Sequence, residues 1–147
     1  EVVQNFSSSG GRKVALFGLG NMNPMARQAA ARLVAEGYDA AVINPRFTKP
    51  LDAGTHEFFG RGADLVVTLE DHALAGGYGS AVLELCSEKG ITTPLVRVGW
   101  PDQFIEHASS QDELRRRYGL TVENILARAK AQFAETQPVA KLIGMAS

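Results

Sequence analysis

The sequence predicts one α/β domain in which helices cover both faces of a mainly parallel sheet. Short, almost continuous apolar runs such as "KVALFG" and "DLVVTL" are typical of strands that are buried on both faces. Longer segments whose apolar residues recur with a helical period separate these runs, and each parallel crossover needs a connection of that length. The alternation of strands and helices therefore indicates a three-layer α/β/α architecture.

The first half of the chain predicts two strands, each followed by a helix. Residues 13–18 form the first of these strands, and the next helix has Asn23 as a candidate N-cap, Pro24 at its first position and Gly37 just past its end. The run "DAAVINP" predicts the second strand, and a short helix at about 52–61 follows it. Each strand is thus connected to the next through a helix.

The second half continues the same alternation. Residues 64–69 predict a strand, "SAVLELCSEKG" a helix, and "PLVRVGW" the last strand. Ser110 and Glu113 have the spacing of a capping box, and "TVENILARAKAQFAE" carries an apolar stripe of helical period. We expect the domain to comprise residues 1–135, and the tail at 136–147, which has no clear period, to be partly disordered.

The leading segment "EVVQNF" predicts an additional strand at the edge of the sheet. The following "SSSGG" is short enough to turn this strand back antiparallel to the next one. The chain starts without an initiator methionine or a signal-peptide pattern, and we therefore expect it to be part of a longer polypeptide.

Composition excludes several classes of function. The 15 basic and 16 acidic residues give a net charge of -1, which creates no broad field to attract nucleic acid or an anionic membrane. A single cysteine rules out an internal disulfide, and with three scattered histidines it argues against a structural zinc site. No apolar run approaches the roughly 18 residues that span a bilayer. We expect a cytoplasmic protein.

Two catalytic or cofactor motifs are only partly matched. The pair Gly18 and Gly20 follows a strand and precedes a helix, as in a dinucleotide-binding fold. However, Asn23 stands where that motif has its third glycine, and no acidic residue follows the second strand to bind a ribose. The segment "GYGSA" lacks the Gly-x-Ser-x-Gly spacing of a hydrolase elbow.

The segment "EDHALAGGYGS", residues 70–80, is the candidate functional site. Its acids and histidine could serve acid–base chemistry, but adjacent residues point in different directions and rarely converge on one substrate atom. Glycines allow two backbones to approach closely, and the polar side chains offer hydrogen bonds. We therefore interpret the segment as a joint to another domain or subunit. The candidate interface residues are Glu70, Asp71, His72, Gly76, Gly77, Tyr78 and Gly79.

Two further residues have structural interpretations. Cys86 shares an apolar helix face with Val82 and Leu85, which predicts a buried thiol with a raised pKa rather than a nucleophile. His107 follows a proline-containing turn and is interpreted as an anchor that hydrogen-bonds its loop.

The expected topology also leaves a binding function open. If strands 13–18 and 64–69 are neighbours, the loops "GLGNMN" and "EDHALAGGYGS" meet at the carboxyl edge of the sheet, where ligands of such folds bind. Helix starts at Asn23 and near Gly79 would both direct N–H groups there. A free-standing protein that binds a small anion is therefore an alternative.

Several segments together resemble one known family. The succession "VALFGLGNM", "AAVINPRFTKPLD", "DLVVTLEDHALAGGYGSAVLE" and "PLVRVGWPDQFIEHASSQDELRRRYGLTVENI" is similar to the C-terminal domain of 1-deoxy-D-xylulose-5-phosphate synthases, which are transketolase-like thiamine diphosphate enzymes. The resemblance covers about 13–134. It implies a mixed five-stranded sheet whose first strand is antiparallel.

The resemblance also implies a function for a longer enzyme. Such an enzyme uses thiamine diphosphate and Mg²⁺ to condense pyruvate with D-glyceraldehyde 3-phosphate, releasing CO₂ and giving 1-deoxy-D-xylulose 5-phosphate. Its cofactor contacts lie in two other domains, and it is a homodimer. This chain has no Gly-Asp-Gly motif with a downstream asparagine, so no catalytic, cofactor-binding or metal-binding residue is assigned to it. We expect it to be inactive alone. The C-terminal part of another transketolase-like subunit is a second alternative.

Overall fold

The computed structural model describes residues 1–7, 10–106 and 109–135. The sheet consists of strands β1 (Val2–Gln4), β2 (Lys13–Gly18), β3 (Asp39–Ile43), β4 (Leu65–Ala73) and β5 (Leu95–Trp100). The helices are α1 (Asn23–Ala35), α2 (Ala53–Gly62), α3 (Tyr78–Glu88), α4 (Gln111–Arg117) and α5 (Val122–Glu135), and a 3₁₀ turn spans Gly20–Met22. His107 and the tail at 136–147, for which we made predictions, lie outside the described residues.

The five strands lie in the order β1-β3-β2-β4-β5. Strands β2 to β5 are parallel to one another, whereas β1 pairs antiparallel with β3, with Val2 opposite Ile43. The expected mixed sheet is thus confirmed. The expectation that β1 pairs with the next strand is wrong, because β2 is already paired on both of its edges, with β3 and β4. Strand β1 pairs instead with the remaining edge of β3.

Helices cover both faces of the sheet, which confirms the three layers. On β2 the side chains of Val14 and Leu16 join the apolar cluster that contains α1 and α5. Ala15 and Phe17, which point the opposite way, join the cluster with α2 and α3. Because alternate residues enter two separate cores, the strand must be apolar throughout, as the run "KVALFG" predicted.

Two helix starts follow capping residues, whereas α1 and α3 begin without a side-chain cap, α3 at Tyr78 rather than at the predicted Ser80. Asp52 and Ser110 accept hydrogen bonds from the backbone N–H groups three residues ahead, as N-caps do. Gly37 has a φ of 89° directly after α1, a conformation that favours glycine. The prediction that Asn23 is an N-cap is wrong, because the 3₁₀ turn runs straight into α1 and leaves Asn23 helical, with φ -61°.

Strand β4 extends beyond its predicted end at residue 69 and includes Glu70, Asp71 and His72. Opposite β5, Leu69 pairs with Val98 while Ala73 pairs with Trp100, so β4 has extra residues between these pairs. Such a bulge bends a strand and redirects its side chains.

In the described part of the chain, no helix has the length and apolar character needed to cross a membrane.

Candidate functional site

The candidate site lies at the carboxyl ends of β2 and β4, where the strand order reverses. These two strands are neighbours, as predicted, with Val14 opposite Leu65. From β2 the chain continues to β3 on one side, while β4 lies on the other. Ligand sites and interdomain contacts of open α/β sheets are built from the loops at this edge.

Glu70 is an internal cap for helix α3. Its side chain is 0% exposed. The backbone N–H of Tyr78 donates to Oε2 at 2.6 Å, and that of Gly79 donates to Oε1 at 2.9 Å. A carboxylate at this position satisfies two otherwise unpaired donors and faces the positive end of the helix dipole. Glu70 is therefore a buried part of this domain, where the sequence had placed it in a loop.

Three glycines let the backbone close around this carboxylate. A Cβ on Gly77 would collide with Oε2 of Glu70 and with the carbonyl oxygen of Ala73. On Gly79 it would lie 2.7 Å from Oγ1 of Thr68, and on Gly99 it would lie 3.0 Å from Cγ of Glu70. Gly77 and Gly79 thus allow the close backbone approach that was expected, but the groups they approach belong to this domain. Gly76 has a φ of 65° and open space around its Cα.

Asp71 joins β4 to three other elements. Its Oδ1 accepts from Nε1 of Trp100 at 2.7 Å. Its Oδ2 accepts from Asn21 at 2.6 Å, from Gln111 at 3.2 Å and from Arg115 at 2.7 Å. Burial alone would raise the pKa of Asp71, but the hydrogen bonds from Arg115, Trp100 and Asn21 outweigh it, so the pKa is lowered. Asp71 is thus an ionised internal anchor.

His72 shares no described hydrogen bond with either acid. Its side chain is exposed, and Nδ1 lies 3.2 Å from the carbonyl oxygen of Ala73. Glu70 contacts α3, Asp71 contacts α4 and β5, and His72 faces solvent, so the three neighbours do not form one acid–base centre. Of the three, His72 is the one whose side chain remains available to a partner.

Tyr78 is part of a buried pair with His56. The hydroxyl of Tyr78 lies 2.7 Å from Nε2 of His56, whose Nδ1 lies 2.7 Å from the carbonyl oxygen of Asp52. Because that carbonyl can only accept, Nδ1 carries the proton and Nε2 accepts from the tyrosine. Burial lowers the pKa of His56 and raises that of Tyr78 well above its ordinary value. Sequence reasoning missed His56, whose only signal is its position four residues after Asp52.

A crevice of about 350 Å³ opens between these residues and the loop that follows β3. It is lined by Leu19, Thr48, Lys49, Glu70, His72, Gly76, Gly77, Tyr78 and Ala81. The backbone amides of Tyr78 and Gly79 already donate to Glu70, and the amide of Asn23 donates to the carbonyl oxygen of Gly20. Both helix starts proposed for anion binding are therefore engaged internally, and the buried carboxylate would repel an anion.

The same geometry does not fit thiamine diphosphate with Mg²⁺. A diphosphate needs unpaired N–H donors, whereas Glu70 occupies those of α3. Within residues 1–7, 10–106 and 109–135, no three side chains of the kind that bind metals lie together.

Two exposed aromatic side chains at this edge escaped the sequence interpretation. Phe47 follows β3 and is 68% exposed, and Phe104 follows β5 and is fully exposed. Both lie in segments that carry the family resemblance, "NPRFTKPLD" and "GWPDQFIEH". An apolar residue within a polar loop was the available signal.

Comparison with known proteins adds to these observations. Residues 5–125 match the family model for the transketolase C-terminal domain. A 1-deoxy-D-xylulose-5-phosphate synthase from Methylacidiphilum infernorum is 54% identical over 119 residues, which are 81% of this chain and 19% of the relative. The same enzyme from Acidobacterium capsulatum is 45% identical over 129 residues, 88% of this chain and 20% of the relative. The chain thus spans about a fifth of these curated relatives.

A solved structure supports the same assignment. A split-gene transketolase, described as an inactive beta4 tetramer, superimposes with a TM-score of 0.78 at 35% identity. The match covers 89% of this chain and 41% of that one. The chain therefore belongs to the family of transketolase C-terminal domains, in the form found in 1-deoxy-D-xylulose-5-phosphate synthases.

Proposed function

We propose that this chain is the non-catalytic C-terminal domain of a 1-deoxy-D-xylulose-5-phosphate synthase. The observation that carries the proposal is the 54% identity to such an enzyme over 81% of this chain but only 19% of the enzyme. The complete enzyme condenses pyruvate with D-glyceraldehyde 3-phosphate and releases CO₂. Thiamine diphosphate and Mg²⁺ bind its other two domains, and it works as a cytoplasmic homodimer.

Within that enzyme the domain contributes assembly rather than chemistry. Glu70, Asp71 and His72 are adjacent but face different elements, so they offer no converging acid–base pair. The internal hydrogen bonds of Glu70 and Asp71 instead stiffen the carboxyl edge of the sheet. A rigid edge suits a joint, because less conformational freedom is lost when a neighbour packs against it.

The experiment starts from the gene. Reading upstream of the codon for Glu1 should reveal the other two domains in the same open reading frame. The full-length polypeptide should then form 1-deoxy-D-xylulose 5-phosphate in the presence of thiamine diphosphate and Mg²⁺. The present chain should form none, and calorimetry should show no saturable binding of that cofactor. Product formation or micromolar cofactor binding by the chain alone would contradict the proposal.

A split subunit is the second candidate, and the structural match to a split-gene transketolase favours it. In that case the upstream domains would be encoded by a separate neighbouring gene, and activity would require both chains to be mixed. The third candidate, a free-standing anion-binding protein, is opposed by the internal use of the α3 amides.

A further inference from the structure

The carboxyl edge of the sheet carries two large apolar side chains that are open to solvent. Phe47 is 68% exposed and Phe104 is fully exposed. Single exposed apolar residues are common on protein surfaces, so exposure alone does not assign a role to these two side chains. Whether the two residues belong to one interaction surface depends on their distance from each other and from the start of the chain.

Phe47 and Phe104 lie at the two ends of one continuous edge. They follow β3 and β5, and the order β3-β2-β4-β5 puts three strand spacings between them. With neighbouring strands about 4.8 Å apart, the two loops are separated by about 14 Å. The crevice with Lys49 and His72 lies between them. We call Phe47, Lys49, His72 and Phe104 the carboxyl-edge surface.

Both loops that bear the phenylalanines are held from within the domain. Trp100, just before the Phe104 loop, and Gln111 and Arg115, just after it, all donate to the carboxylate of Asp71. One side chain therefore fixes both ends of that loop.

The Phe47 loop is held by hydrogen bonds that its own backbone N–H groups donate. The N–H of Phe47 donates to the carbonyl oxygen of Pro45, and the N–H of Arg46 donates to the side chain of Asn44. Loops whose flanking residues are held before binding lose less entropy on docking, which favours a specific interface.

The start of the chain lies at the same edge. Because β1 runs antiparallel to β3, Glu1 lies beside the carboxyl end of β3. Its N-terminal nitrogen donates to the carbonyl oxygen of Asn44 at 3.0 Å, and its carboxylate pairs with Arg46 at 3.4 Å. The curated relatives are about five times as long, and the matched family model is a C-terminal domain. In a protein built like them, the other domains connect through Glu1 and so reach the domain beside Phe47.

We propose that the carboxyl-edge surface is where the preceding domains of the same polypeptide dock, with Phe47 and Phe104 as its two apolar anchors. This inference rests on the proposed function and adds to it the contact surface and its occupant. Phenylalanine is among the residues enriched in protein interfaces, where a few residues carry most of the binding free energy.

The test uses the full-length polypeptide with Phe47→Ser and Phe104→Ser combined. Phe58→Ser is the matched control, because Phe58 is 67% exposed but lies on α2, which covers a face of the sheet. Proteolysis at the junction before Glu1 should be at least about ten-fold faster in the double variant and unchanged in the control. Hydrogen exchange at residues 44–50 and 101–106 should be slower in the native full-length protein than in the present chain.

The possible results separate the two proposals. If the gene encodes no further domains, the proposed function fails. If it encodes them but residues 44–50 and 101–106 exchange equally fast in both proteins, the function stands and the docking surface is wrong. If the double variant abolishes self-association of the present chain and leaves junction cleavage unchanged, a second copy of this chain is the occupant and the inference is overturned. Urea unfolding of the variants in the present chain identifies any effect on the fold itself.

Discussion

The backbone N–H of Tyr78 donates a 2.6 Å hydrogen bond to the carboxylate of Glu70, and this contact joins the end of β4 to the start of α3. Glu70 is fully buried, and its second oxygen accepts from Gly79. A residue that appeared in the sequence to belong to a surface joint therefore supports the fold of the domain itself. Substitutions of the buried residues in segment 70–80 should therefore change the stability of the isolated chain.

Glu70→Gln should destabilise the isolated chain. The glutamine keeps one acceptor but turns an NH₂ group toward the second helix amide, so one buried donor loses its partner at a cost of about 1–3 kcal/mol. Urea unfolding measures this free energy. Glu84→Gln is the control, because Glu84 is an exposed residue of the same helix and its substitution should cost less than about 0.5 kcal/mol. Equal midpoints for the two variants would show that α3 does not depend on this carboxylate.

Gly77→Ala should also destabilise the isolated chain, by about 1–3 kcal/mol. The cause is steric, because the added Cβ would collide with Glu70 and with the carbonyl oxygen of Ala73, while the φ of Gly77 is an ordinary -82°. Gly62→Ala is the control, since Gly62 has open space around it and lies at the end of α2. The Gly62 variant should be as stable as the native chain or slightly more so. A Gly77 variant with native stability would contradict this account.

Stability should decrease with falling pH through the titration of His56. Burial lowers its pKa below the ordinary value of 6.5, so the unfolded chain binds a proton at a higher pH than the folded chain does. The contribution is therefore complete above 6.5 and is lost as the pH drops toward the folded-state pKa. The pKa values of Asp52 and Asp71 are lowered from 3.8, so the stability that these carboxylates contribute is complete above 3.8 and is lost only at more acidic pH.

His56→Gln isolates this effect. The glutamine can still accept from Tyr78 but does not titrate, so the slope of urea stability between pH about 6.5 and 5 should decrease. The native chain measured in parallel is the reference for this slope. An unchanged slope in His56→Gln would mean that another group titrates in this range.

Sequence reasoning predicted well those elements whose residue types depend only on their local environment. Residues 14–17 are all buried, so their uninterrupted apolar run identifies β2. Asp52 and Ser110 indicate helix starts, because each side chain accepts a hydrogen bond from a backbone N–H in the first turn of its helix. Apolar runs and capping residues of this kind can be recognised in the sequence without knowing which segments are in contact in the fold.

The features that were missed depend on contacts between distant segments. Two acids and a histidine after an apolar run are typical of a loop, and only the bulge opposite β5 and the amides of α3 allow Glu70 to be buried in a strand. Likewise, β1 pairs with β3 rather than with β2, because both edges of β2 are taken by β3 and β4. This pairing follows from strand order rather than from the local sequence. The surface formed with Phe47 and Phe104 depends on the same order.

Cys86 should react slowly with thiol reagents in the native chain. It is 8% exposed, and burial raises its pKa, which confirms the interpretation of a core thiol. The thiolate is the reactive form, so both burial and the raised pKa slow the reaction. Ser87→Cys in a Cys86→Ala background places a thiol on the exposed neighbouring position and should label rapidly. Equal labelling rates in the absence of urea would contradict the burial of Cys86.

His72→Ala should affect the intact enzyme but not the isolated domain. Its side chain is exposed in the present chain and makes one contact, at 3.2 Å, with the neighbouring carbonyl oxygen, so urea stability should change by less than about 0.5 kcal/mol. If a neighbouring domain docks on the carboxyl-edge surface as proposed, it covers the imidazole in the full-length enzyme, and removal of the imidazole leaves a polar group opposite without a partner. Domain or subunit association measured by sedimentation should weaken, and activity should fall with it. If the variant assembles normally and retains bound cofactor yet has no turnover, His72 takes part in the chemistry and the interpretation as a joint is wrong.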